Sequence, residues 1–140
     1  MNYNTDVNGN SELAKRDSVV TITANTTLTN DETGVTFAVA TDALTITLPN
    51  TAIGLEYTFI NTGAAGNNII TVSPQATDGI AGTITLAGTV VVLDGTVDKD
   101  AVNTKATSIA GDCITIVGTG VAGTTAWIVK SSTGIWAQGA

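Results

Sequence analysis

The stretch "LTITLPNTAIGLEYTFIN", residues 44–61, alternates apolar side chains with threonine, stops at Pro-Asn, and alternates again through Tyr57 and Phe59. A period of two marks a strand with one face toward a core, because successive side chains point to opposite sides of a sheet. The same alternation returns at residues 19–24, 35–40, 69–73, 83–94, 113–117 and 126–130, with Gly, Asn and Asp between the runs. Short strands at roughly 8–12-residue spacing indicate an all-β sandwich or barrel. No window sustains the 3.6-residue period of an amphipathic helix. The expected fold is all-β: an antiparallel β-sandwich or jelly-roll-like barrel over residues 18–140, with a short N-terminal arm at 1–17.

Alternation also assigns faces. Leu44, Ile46 and Leu48 share one side and Thr45 and Thr47 the other; Leu55, Tyr57 and Phe59 face away from Glu56 and Thr58. Pro49 cannot donate to a ladder and ends its strand. Gly54 then lets the chain turn back, so the two runs are expected to form a hairpin-like pair with a core face and a threonine face. Threonine is β-branched, favours strands, and its hydroxyl accepts water or a protein neighbour equally well. A face built from it loses less side-chain entropy in an interface than one of long charged residues. Residues 94–108, the most polar internal stretch, read as a surface loop or twisted edge.

Charged residues are only 12% of the chain, about half the usual share, and the formal net charge is −7 with no histidine. So acidic a surface repels phosphate backbones, and no nucleic-acid partner is expected. No apolar run approaches the roughly 18 residues of a membrane helix, and the first residues lack the hydrophobic stretch of a signal peptide. A soluble chain with no membrane partner and no removable leader is therefore expected. The arm is polar and asparagine-rich and carries the only basic pair, Lys15-Arg16. It either docks on a neighbouring subunit or partner, or packs "SELAKRD" as one helical turn against its own domain.

The chain offers little to reaction chemistry. Nucleophilic catalysis wants a positioned base, and histidine is absent. Cys113 is the only cysteine, sits within an apolar strand, and reads as a buried, inert thiol. The acids cluster at turns, where solvated roles are the default. "VDKDAVN" spaces Asp98, Asp100 and Asn103 as a loose oxygen cluster, but it lacks the glycine and terminal glutamate of an EF-hand loop. "GTGVAGT", residues 118–124, has no Gly-Lys-Ser/Thr after it and reads as a hairpin turn rather than a phosphate loop. Trp127 is assigned to the core, and Trp136 to a plug packing the tail against the sheet. The expectation is a protein that is not an enzyme and holds no cofactor or metal.

Three stretches resemble sequences that recur in β-rich virion proteins of tailed bacteriophages: "TITLPNTAIGLEYTFINTG" (45–63), "IITVSPQATDGIAG" (69–82) and "GDCITIVGTGVAGTTAWIVKSSTGIW" (111–136). Together they cover most of residues 45–136, and they bring no catalytic residues. The resemblance is greatest to capsid decoration, or cement, proteins. It implies a chain on the capsid surface of the virion, assembled in the host cytoplasm. It implies a homotrimer bound to the major capsid protein, with Tyr3, Leu13, Lys15 and Arg16 as candidate capsid or subunit contacts. Tail-fibre or head-fibre modules that bind receptor glycans share such motifs and form the alternative; a bacterial or phage-derived enzyme domain, such as a glycan lyase, is a third reading.

Overall fold

A computed structural model describes residues 19–86 and 89–139. The arm at 1–17 and its four candidate contacts, Tyr3, Leu13, Lys15 and Arg16, lie outside the described residues.

The chain is an all-β sandwich of two mixed sheets. In chain order the strands are β1 (Val19–Ile22), β2 (Thr26–Thr27), β3 (Thr36–Val39), β4 (Leu44–Thr47), β5 (Glu56–Asn61) and β6 (Ile70–Ser73). They are followed by β7 (Asp78–Leu86), β8 (Thr89–Asp94), β9 (Ala101–Asn103), β10 (Cys113–Gly118), β11 (Gly123–Thr133) and β12 (Trp136–Gln138). The seven-stranded sheet runs β1-β3-β5-β10-β11-β7-β8, and the five-stranded sheet runs β12-β9-β6-β4-β2.

The first half does not form hairpins. Each strand up to β6 lies in the opposite sheet from its predecessor, so the chain winds as a coil between the sheets. β1, β3 and β5 stack parallel on one side, and β2, β4 and β6 stack parallel on the other. The expected pairing of β4 with β5 is therefore corrected: the two runs belong to different sheets. Gly54, at φ +85, does bend the chain as expected. However, residues 48–55 form a connection longer than the 2–5 residues of a tight hairpin, and it carries the chain across the roughly 10 Å between packed sheets. The second half supplies the antiparallel pairs: β10 with β5 and β11, β7 with β8, and β9 with β6 and β12. The turn expected within 118–124 is formed by residues 119–122, between β10 and β11. The stretch 94–108 is more than a surface loop, because it contains β9, an inner strand of the smaller sheet.

Side-chain period two survives this rearrangement, because it fixes a face and not a neighbour. Leu44, Ile46, Leu48, Leu55, Tyr57 and Phe59 are all buried between the sheets, as are Trp127 and Trp136. Phe37 stacks on Phe59 with centroids 5.7 Å apart, and Tyr57 lies 5.8 Å from Trp127. Rings in such offset or tilted contact add about 0.5–1.5 kcal/mol beyond their buried area. Trp136 is the expected plug: it is fully buried, and its indole N–H donates to the Thr133 carbonyl at 3.0 Å.

Tyr57 reaches from this core toward the edge of the sandwich, where its hydroxyl donates to the Thr29 carbonyl at 2.8 Å. Burial first, and the nearby Glu32 carboxylate second, push the phenol up to about 12. Because the folded value exceeds the ordinary value of about 10, this contribution to stability is full below pH ~10 and is lost as pH rises through about 12. Ultraviolet titration should show Tyr57 ionising near the upper value, and Glu32→Gln should bring it down. A folded-state phenol titrating near 10 would overturn this account.

Candidate interface faces and their supports

The outward rows of the five-stranded sheet are built almost wholly from threonine and its neighbours in size. Parallel register sets Thr27 beside Thr47 and Thr47 beside Ser73. A second row runs Thr45, Thr71, Val102, Ala137. None of these seven residues is charged, although the chain as a whole carries −7. The strands lie about 4.8 Å apart, so the hydroxyls fall into aligned rows. Asn25 closes one corner, its side-chain oxygen accepting from the Thr45 amide at 3.0 Å.

The outer face of the larger sheet is different in kind. Thr58 and Thr115 hydroxyls meet at 2.8 Å across β5 and β10, but the same face carries the Lys130–Glu56 ion pair at 3.0 Å. Cys113 also lies here, paired with Ile60 in an outward row and only half-buried. This corrects its expected place in the core: the strand is apolar, but the cysteine falls on the phase that points out.

Two loop tips add apolar surface. Ile53 is 86% exposed and Val121 is 62% exposed. Their loops meet through Thr51, whose hydroxyl accepts from the Gly120 amide at 3.1 Å and donates to the Ala126 carbonyl. The Thr51 amide in turn donates to the Asp78 carboxylate at 2.9 Å. These bonds tie the two loop backbones together, so less backbone ordering remains to be done when a partner covers the tips.

At the other edge, three buried asparagines hold the connections between sheets. Asn61 accepts from the Gly63 amide at 2.7 Å and from the Asn68 side chain at 2.7 Å, and donates to the Ile109 carbonyl at 3.0 Å. Asn68 also donates to the Val39 carbonyl at 2.9 Å, which fixes the sense of its amide. Asn103 accepts from the Ile70 amide at 2.6 Å and donates to the Asn68 carbonyl at 3.2 Å. Outside this group, Lys105 pairs with Asp42, whose carboxyl is held below its usual 3.8 by that side chain first and by the Ile69 amide second.

The loose oxygen cluster is not assembled. Asn103 points into the asparagine network, while Asp98 sits at a left-handed turn with φ +61. Among the described residues no group of three or more His, Cys, Asp or Glu side chains could hold a metal ion. Nor are all turn acids solvated: Asp78 and Asp112 are buried and accept the amides of Thr51 and Ile109. The local sequences had no signal for these two, since a carboxylate beside glycine looks alike whether it faces water or a backbone amide. No helix among the described residues is long and apolar enough to cross a membrane. Compared with protein families, curated proteins and solved structures, the chain matches none.

Proposed function

We propose that the chain is a structural protein of a tailed-phage virion, decorating and stabilising the capsid shell by binding the lattice of its major capsid protein as a homotrimer. The observation that carries this reading is the uncharged hydroxyl grid on the five-stranded sheet. A sheet face without long charged side chains can be covered by protein at small entropic cost. Repeated over a lattice, contacts that are individually modest sum to tight attachment, because each additional site engages at high effective concentration.

The alternative, a receptor module for glycans, wants exposed aromatic rings as stacking platforms. All five aromatic residues among those described, Phe37, Tyr57, Phe59, Trp127 and Trp136, are buried. Nucleic acid is a poor partner for so acidic a chain, in which two of the three described lysines, Lys105 and Lys130, are already paired with carboxylates.

The test is to place the protein on particles. Cryo-electron microscopy of virions that carry it should show density on the head. The double variant Thr47→Arg, Thr71→Arg should lose shell binding while keeping its melting temperature, since both side chains point outward. Density on a tail fibre, or specific binding of the isolated protein on a glycan array, would overturn the assignment.

A further inference from the structure

The sandwich is closed at one end and open at the other. At the closed end the Asp94 amide of β8 donates to the Gln138 side chain of β12 at 2.9 Å, joining the last strand of each sheet. At the open end stand β1 and β2, the first turn of the coil, and among the described residues nothing pairs with the outer edge of either. Val20 shows what is missing. Its register partner Phe37 is 2% exposed, so Val20 belongs to the inward row, yet it is itself 41% exposed. Beside it a cleft of about 510 Å³ opens between Val20, Ile22, Leu28, Glu32 and Phe37. Unpaired strand edges next to uncovered apolar side chains are an aggregation template that native proteins cover.

We propose that residues 1–18 of the same chain fold back across this end and cover it in the isolated subunit. The segment joins β1 at Val19, at the mouth of the cleft, so its docking is intramolecular and needs no second molecule. Its length suffices: the spacing from Val19 to its partner Thr36 shows that a segment of this size makes a full turn of the coil. Its chemistry is complementary as well. Leu13 offers an apolar side chain to Leu28 and Phe37, and Lys15-Arg16 bring two of the chain's five basic residues to a cleft walled by Glu32. Among the described residues the ion pairs are Lys105–Asp42 and Lys130–Glu56, so no described lysine serves Glu32.

The proposal does not depend on what the protein assembles with. It is tested on the full chain in a Cys113→Ser background, with a nitroxide attached through Asn30→Cys, exposed in the turn that carries Glu32 and far in sequence from the arm. In a dilute ¹⁵N-labelled sample, amides around Leu13–Arg16 should lose most of their intensity through paramagnetic broadening. Leu13→Asp should restore them, with the core resonances unchanged as the control for folding. Mixing ¹⁵N-labelled protein without the nitroxide with spin-labelled unlabelled protein should leave the same amides sharp. Broadening in that mixture would mean that the segment docks on a second copy, and absence of broadening in both samples would mean that it docks nowhere; either result overturns the proposal.

Discussion

Asn61→Ala should cost about 3 kcal/mol of folding stability, as the sum of two or three lost buried hydrogen bonds and the donors left behind. The side chain, itself fully buried, accepts from the Gly63 amide and from Asn68, and donates to Ile109. Alanine leaves the Gly63 N–H and one Asn68 N–H without that acceptor. The Ile109 carbonyl loses less, because it still accepts from the Asp112 amide at 3.1 Å. Urea unfolding should show the midpoint falling with the slope unchanged, since the surface exposed on unfolding is the same. Thr62→Ala, at the exposed position next door, should stay within about 0.5 kcal/mol. A loss below about 1 kcal/mol for Asn61→Ala would mean that water replaces the amide and that the network is not a buried one.

Gly95→Ala should be more damaging, about 4 kcal/mol or outright failure to fold. Two independent costs add. At φ +81 any side chain is strained, by roughly 1–2 kcal/mol. In addition, a Cβ at this position would overlap the carbonyl oxygen of Thr124, a backbone atom of β11 that cannot swing aside. The crowding extends one layer further, because a Cβ on Gly79 would overlap the Gly95 carbonyl in the same way. Three backbones thus touch where β7 begins, where the chain leaves β8, and along β11. Gly54→Ala separates the two costs: its φ is +85, but nothing lies within 4 Å of the added Cβ. It should lose only the strain. Equal melting temperatures for the two variants would refute the close-approach account.

What the sequence made legible was the face of each residue, and what it concealed was the neighbour of each strand. The run 44–61 shows both. Its alternation places Leu44, Ile46, Tyr57 and Phe59 inward correctly, because burial depends on phase alone. Alternation reads the same in parallel and antiparallel sheets, so it could not reveal that β4 and β5 lie in different sheets. The available signal was the length of the connection 48–55, which is long for a hairpin. β9 was hidden for another reason: "AVN" has three residues among polar ones, and its strand character comes from β6 and β12 on either side. The hydroxyl grid was half visible. Threonine content announced the surface chemistry, but its alignment into rows follows from parallel register. The asparagine network left no trace, since Asn61, Asn68 and Asn103 each sit at the end of a run where a turn residue is expected anyway.

The position of β11 bears on how the protein can be made. It lies between β10 and β7, so until residues 123–133 are in place the larger sheet exists as two pieces, the coil strands on one side and the β7–β8 hairpin on the other. A nascent chain whose residues 123–133 have not yet left the ribosome has no such wedge, and its two pieces share no ladder. The seam therefore closes only once that segment has emerged, with pairings as distant in sequence as Ile80 and Trp127 formed late. Until then each new chain carries unpaired strand edges on both sides of the gap that β11 fills.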